Sequence, residues 1–278
     1  MNPFERASTG ISGLDRVLDH LRPGDNVVWQ VDSIEDYRHF VSSFVRQALL
    51  DNKRMVYMRF GQHPPVLEMS PDINVYYLNP QNGFEAFSTE VHSIASAEGE
   101  GVYYVFDSLS DLLSAWATDL MIGNFFRVTC PYLFELNTIA YFAVLRNRNS
   151  YKTIARIRET TQLLLDVYRE DERYYIHPLK VWNRYSPTMF LPHLGVNDQF
   201  VPVTSSGEAA RLVARFERQK AGDSARKLDY WDLVFMEAED LLKRLENGES
   251  VGEAEEAEMV EKLCRMMVGR DDRILRLA

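Results

Sequence analysis

The stretch TGISGLDRVLDHLRPGDNVVWQVDSIEDY, Thr9 to Tyr37, decides how the chain is read. Ser12 with Asp15 three residues on has the form of a capping box, and Leu14, Val17 and Leu18 add a short apolar stripe. Pro23-Gly24-Asp25 is turn chemistry. Asn26 to Val31 is a strand whose unbroken apolar character suits cover on both faces. Ser33 starts the next helix, with Asp36 as its box partner. Ile34, Tyr37, Phe40, Val41, Phe44, Val45, Ala48 and Leu49 fall on one face of that helix. In a nucleotide-binding α/β protein, the corner between such a strand and such a helix holds phosphates. Here the corner has no glycine and no lysine, but three carboxylates, Asp32, Glu35 and Asp36.

Downstream, strands alternate with helices, which predicts an α/β fold around a mostly parallel sheet. Arg54 to Phe60 and Ile73 to Leu78 read as strands, and Phe84 to Glu98 as a helix. Val102 to Phe106 is a buried strand that delivers Asp107 at its C-terminal end, the ligand edge of a parallel sheet. Asp111 to Leu136 reads as helix, interrupted near Gly123 and Pro131. Ile139 to Leu145 is a strand and Tyr151 to Thr160 a helix. Gln162 to Tyr168 and Tyr174 to Trp182 form a β-hairpin across the charged turn Arg169 to Arg173. After Pro202 only helical patterns remain: Gly207 to Lys220, Lys227 to Glu246 and Glu253 to Val268, separated at Gly222-Asp223 and Asn247-Gly248. The expected division is an α/β domain over 1–202 and an all-helical acidic tail over 203–278.

The net charge of −10 is concentrated. Between Glu237 and Glu261 there are ten acidic and two basic residues, leaving the rest nearly balanced. No basic stripe is present to replace the counterions of a polyanion, so a nucleic-acid partner is not expected. Cys130 and Cys264 lie far apart without C-x-x-C or zinc spacing, which fits reduced thiols in a cytoplasmic protein. The opening MNPFERASTG has no apolar signal-like run, and Leu136 to Leu145 is too short to span a bilayer, so no membrane association is expected.

Thr9-Gly10-Ile11-x-Gly13-Leu14-Asp15, with Leu18 and Gly24, resembles the entry segment of RecA/KaiC-type ATPases. Val102 to Asp107 resembles that family's Walker B strand, and Gln162 to Arg184 its terminal strands. The resemblance spans about residues 8 to 195. It implies a P-loop at Asp32, Ser33, Glu35, Asp36, Tyr37 and Arg38, yet Tyr37 stands where the lysine belongs and Arg38 where the magnesium-binding hydroxyl belongs. Gly61 and Gln62 occupy the places of the family's glutamates after the second strand, and only Asp107 remains of the catalytic set. The run GDNVVWQVDSIEDYRHFV, followed by VYMRFGQHPP, is similar to the N-terminal region of bacterial proteins that resemble phosphoenolpyruvate synthase and pyruvate, phosphate dikinase.

The resemblance thus implies a pseudo-ATPase: a regulatory or assembly module with no catalytic residue, no metal and no cofactor. Its expected partners are its own downstream domains or another protein, with a homo-oligomeric state. The alternative is an ATPase or kinase with an unconventional phosphate site, taking ATP and magnesium. Asp32, Glu35, Asp36 and Asp107 could instead gather a divalent cation, although acids in a first helical turn are ordinary capping chemistry. Gln62 and His63 lie on the expected ligand edge, Lys180 and Arg184 at an interface of the kind seen in KaiC-type rings. Arg146, Arg148 and Asn149 form a polar loop that could meet an anion. Tyr103, Tyr104, Trp116, Tyr141 and Phe142 are read as core. The helix around Trp231 and Phe235 is read as packing on the main domain or on a partner.

Overall fold

A computed structural model describes residues 6–170, 172–220 and 230–275, without side-chain detail at 215–233, 235 and 265–275. The chain divides into two compact units, one over 1–190 and 194–201, the other over 191–193 and 202–278. The first unit opens with α1 (Ser12–Leu18), β1 (Asn26–Val31) and α2 (Ile34–Leu50). It continues through β2 (Met55–Arg59), β3 (Ile73–Tyr77), α3 (Phe84–Glu98) and β4 (Tyr103–Ser108) to α4 (Leu120–Glu135) and β5 (Ile139–Leu145). Next come α5 (Tyr151–Thr160), β6 (Leu163–Glu170) and β7 (Arg173–Val181), then β8 (His193–Val196) and β9 (Gln199–Pro202). In the second unit the described helices are α6 (Ser206–Lys220), α7 (Tyr230–Glu246) and α8 (Glu253–Leu275).

The fold is α/β, built on a nine-stranded sheet in the order β3-β2-β4-β5-β1-β6-β7-β8-β9. The pairs from β3 to β6 are parallel, and β6 with β7 is antiparallel. β1 therefore lies inside the sheet between β5 and β6, and its carboxyl end meets theirs at one edge. Both faces are covered. On one, α2 stacks Phe40 on Trp29 with ring centres 4.5 Å apart and Phe44 on Tyr141 at 4.0 Å. On the other, Phe106 stacks on Phe142 at 4.4 Å, beneath Phe87 of α3 and Phe125 of α4. Each of these aromatic side chains stabilises the fold by roughly 1.5–3 kcal/mol through the apolar surface it buries. Tyr103, Tyr104, Trp116, Tyr141 and Phe142 are all core residues.

Four local expectations need revision. Ser12 does not cap α1; Ile11 holds that position without a side-chain bond. Asp15 instead accepts from the Thr9 amide at 2.7 Å, the Thr9 hydroxyl at 2.8 Å and the Ser8 hydroxyl at 2.5 Å, so it ties down the approach to the helix. The helix expected from Asp111 begins later, at Leu120, after a 3-10 turn over Leu109–Ser114, and runs through Gly123 and Pro131 without a break. Gly123 belongs there because a side chain would press Arg156 of α5, whose Cδ would lie 2.9 Å from its Cβ. The hairpin strands reach Glu170 and Arg173, so the charged turn is shorter than expected; Asp171 within it lies outside the described residues. Pro178 is accommodated in β7 because the register with β6 slips there.

The strands β8 and β9 went unread in the sequence. Asn197 and Asp198 between them both have positive φ, 47° and 60°, the signature of a tight two-residue hairpin turn. That turn explains a glycine of the opening motif. The Gly13 amide donates to the Asp198 carbonyl at 3.0 Å, and a Cβ at Gly13 would lie 2.4 Å from that oxygen. Gly10 has φ 81°, and its Cβ would meet the Ser43 carbonyl of α2 at 2.1 Å. In this chain both glycines serve close packing. The separator expected at Gly222-Asp223 and the side chains of Trp231 and Phe235 lie outside the described residues.

Candidate functional site

The carboxyl ends of β1, β2, β4, β5 and β6 meet at one edge, the place where open α/β sheets bind ligands. At the β1–α2 corner Ser33 caps the helix. Its Oγ accepts from the Asp36 amide at 3.3 Å, and its hydroxyl donates to the Asp36 carboxylate at 2.8 Å. Asp36 also faces the hydroxyl of Tyr174, which burial, and then that charge, holds above its usual pKa. Glu35 pairs with Arg38 at 2.5 Å, and Arg38 also donates to the Pro65 carbonyl at 3.0 Å. Tyr37 is fully buried and points away from solvent, donating its hydroxyl to the Phe106 carbonyl at 3.1 Å. Burial holds its phenol far above the usual range.

Asp32, the remaining acid of the corner, is bound from across the crevice. Arg146, just past β5, donates Nε to the Asp32 carboxylate at 2.7 Å. Its Nη1 reaches Asp166 of β6, and Nη2 reaches the Val167 carbonyl at 2.7 Å. The guanidinium lies 4.1 Å from the centre of the Tyr168 ring, whose hydroxyl donates to Asp166. Burial disfavours the charge on Arg146, but Asp166, the Tyr168 phenol and Asp32 more than offset it and lift its pKa. Arg146 thus sits where three strand ends converge, with its side chain 9% exposed. It is a protein-supplied cation filling the crevice. The polar-loop reading of Arg146, Arg148 and Asn149 hid this, because the partners of Arg146 lie 114 and 20 positions away.

Asp107 is equally committed. It is fully buried at the end of β4. One of its carboxylate oxygens accepts the Tyr57 hydroxyl. The other accepts Arg59, the Phe60 amide at 2.8 Å and the Gly61 amide at 2.7 Å. Five partners surround it once His63 is included, whose Nε2 lies 3.7 Å away. His63 in turn has both nitrogens engaged: Nδ1 donates to the Pro64 carbonyl at 2.7 Å, which leaves Nε2 to accept the Ser108 amide at 3.4 Å. Gln62 exposes its side chain while its amide donates to Asp111 at 3.0 Å. Gly61 lets the side chains of His63 and Asp111 close in, since a Cβ there would lie 2.7 Å from His63 and 2.8 Å from Asp111 and both would have to shift.

Lys180 and Arg184 are turned inward. Lys180 donates to the carbonyls of Arg158 and Glu159 at 2.5 and 3.1 Å, closing the end of α5; burial and then Arg158 lower its pKa. Arg184 is buried against Asp25 at 2.6 Å and donates to the His20 carbonyl at 2.5 Å. Burial nevertheless raises the Asp25 pKa against the pull of Arg184.

The four acids weighed as a cation site do not converge. Asp32 is spent on Arg146, Glu35 on Arg38, Asp36 on the cap and Asp107 on β2, and among the described residues no group of three or more His, Cys, Asp or Glu is arranged to hold a metal. Among the described residues, no helix is long and apolar enough to cross a membrane. Tyr57, Arg59 and Asp166 escaped the sequence reading. The available signal was a lone charge inside an apolar run, VYMRF or LLLDV, which burial permits only when it is paired. No family model matches the chain, and no curated protein matches it.

Proposed function

We propose that the chain is a RecA/KaiC-like module that does not turn over nucleotide and acts by contact, in regulation or assembly. On this reading it is the N-terminal part of a phosphoenolpyruvate synthase-like protein. A parallel sheet with β1 inside it, and a capped helix launched from the end of β1, support the fold half of the proposal. One observation carries the functional half: each charged side chain at the corner, Asp32, Glu35, Asp36 and Arg38, already has a partner within the chain. The Ser33 hydroxyl occupies the Asp36 amide, one of the donors a phosphate would need. Arg146 fills the crevice beside it, and Tyr37 offers no charge. The oxygens of Asp107 already accept from Tyr57, Arg59, Phe60 and Gly61, and the Arg59 guanidinium beside them already supplies a positive charge.

The test is calorimetric titration of MgATP into the chain, with phosphate release followed in parallel. The expected result is no saturable heat below ~1 mM nucleotide and release at background. Micromolar binding with steady hydrolysis that Asp107→Ala abolishes, in a variant that keeps its circular dichroism, would establish the enzyme reading instead.

A further inference from the structure

Four cations that the sequence scatters between 127 and 156 are gathered by the packing of α4 against α5. Gly123 of α4 has no side chain to hold α5 off, so the stem of Arg156 lies across α4 and its guanidinium donates to Asn124 at 3.0 Å. Arg127 follows Asn124 by three residues, on the same side of α4. Lys152 precedes Arg156 by four residues on α5, and Arg148 stands four residues before Lys152 on the approach to that helix. Arg127, Arg148 and Lys152 are exposed, and Arg156 is half-buried.

Among the described residues none of the four has a carboxylate partner. Other surface arginines of the first unit do, as Arg22 with Asp19, Arg38 with Glu35 and Arg169 with Glu172 show. The acids nearest the four are engaged otherwise: Asp119 accepts the Ser150 amide at 2.5 Å, and Glu159 acts on the ammonium of Lys180. Like charges one helical turn apart repel, so the α4–α5 face gains from an anion laid on it.

Total charge and spacing select the anion. The chain carries −10 overall, which repels nucleic acid and anionic membranes at long range. Cations repeating once per turn match carboxylates repeating along another helix. The second unit presents such helices. Arg244 is taken by Glu249 and Glu255, and Lys262 by Glu237 and Glu258. Glu239, Asp240, Glu246 and Glu253 stay exposed, and among the described residues none of them has a cation partner. Lys243 is the one basic residue of α7 outside those pairs. We infer that the α4–α5 face of one copy docks the acidic α7–α8 face of a second copy, in a heterologous contact held by charge. The chain supplies both halves in matching number, four cations and four carboxylates. An outside partner would have to reproduce that helical run of acids. The contact does not depend on whether the corner at Ser33 takes nucleotide.

Sedimentation velocity on the full chain over ~1 to 100 µM, at ~0.1 M and ~1 M salt, tests it. Association is expected at the lower salt, with a Kd that rises at least ~tenfold at the higher, where the screening length falls to about 3 Å. Two charge-reversed variants, Arg148→Glu/Lys152→Glu and Glu239→Lys/Glu246→Lys, are each expected to sediment as monomers at ~0.1 M salt. All four positions are exposed, so both variants are expected to keep the circular dichroism of the wild type. If one fails to fold, the other decides. Mixed in equal amounts, the two are expected to associate again, because each carries the intact face that the other's intact face fits. A wild-type chain that stays monomeric throughout overturns the inference. So does association that a folded variant retains alone, or a mixture of the two folded variants that stays monomeric.

Discussion

Replacing Arg146 with methionine removes the guanidinium and keeps most of the bulk. Two carboxylates then lose their counter-charge. Asp166 is the costly one, because its side chain is 5% exposed; Asp32, at 28%, can turn to water. The Val167 carbonyl loses its donor as well, and only the Tyr168 hydroxyl still serves Asp166. Breaking a buried ion pair from one side costs about 3–5 kcal/mol. For a chain of this size that corresponds to a drop of about 10 °C in melting temperature. Urea unfolding of Arg146→Met, Asp166→Asn and the double variant forms a cycle. The double variant is expected to lie at least ~1 kcal/mol above the sum of the singles, because neither buried charge remains. A loss under ~1 kcal/mol, or additivity in the cycle, would refute the view that Arg146 plugs the crevice.

Asp107→Asn removes the negative charge that pairs with the Arg59 guanidinium and replaces one of two accepting oxygens, all of whose neighbours are donors, by an amide nitrogen. It is expected to cost about 3 kcal/mol in urea unfolding, with the same loss in the presence and absence of magnesium. A role as metal ligand would instead make the loss magnesium-dependent. His177 is buried with its pKa lowered, first by desolvation, and its Nε2 lies 3.1 Å from the Phe190 carbonyl. A depressed pKa means that the folded state binds fewer protons than the unfolded chain, so His177 contributes stability above about pH 6.5 that is lost as the pH falls below it. His177→Gln is expected to flatten the decline in stability between about pH 6.5 and 5; an unchanged slope would remove His177 as its source.

Local chemistry was legible in the sequence and distant chemistry was not. The cap of α2 could be read because Ser33 and Asp36 are three residues apart, and its buried face because the apolar spacing repeats every turn. Asp107 could be placed at the ligand edge because an apolar strand ends there. Its saturation could not be foreseen, because its donors come from 46 to 50 positions away. The crevice was misread for the same reason: Arg146 looks like loop polarity until β1, β5 and β6 bring Asp32 and Asp166 to it. β8 and β9 were missed because each is only four residues long and lacks a glycine at its turn. Asn197 and Asp198 supply the positive φ that glycine ordinarily provides.

The seat of Gly13 against the Asp198 turn has a consequence for how the chain matures. α1 leaves the ribosome well before residue 198, yet its bed is laid by a hairpin there, and Arg16 reaches its partner Gln199 across 183 positions. Contacts of such span close late and slow the approach to the native state. A nascent chain halted before the hairpin would hold α1 unseated, leaving the apolar side of its opening segment to the care of chaperones until the last two strands arrive.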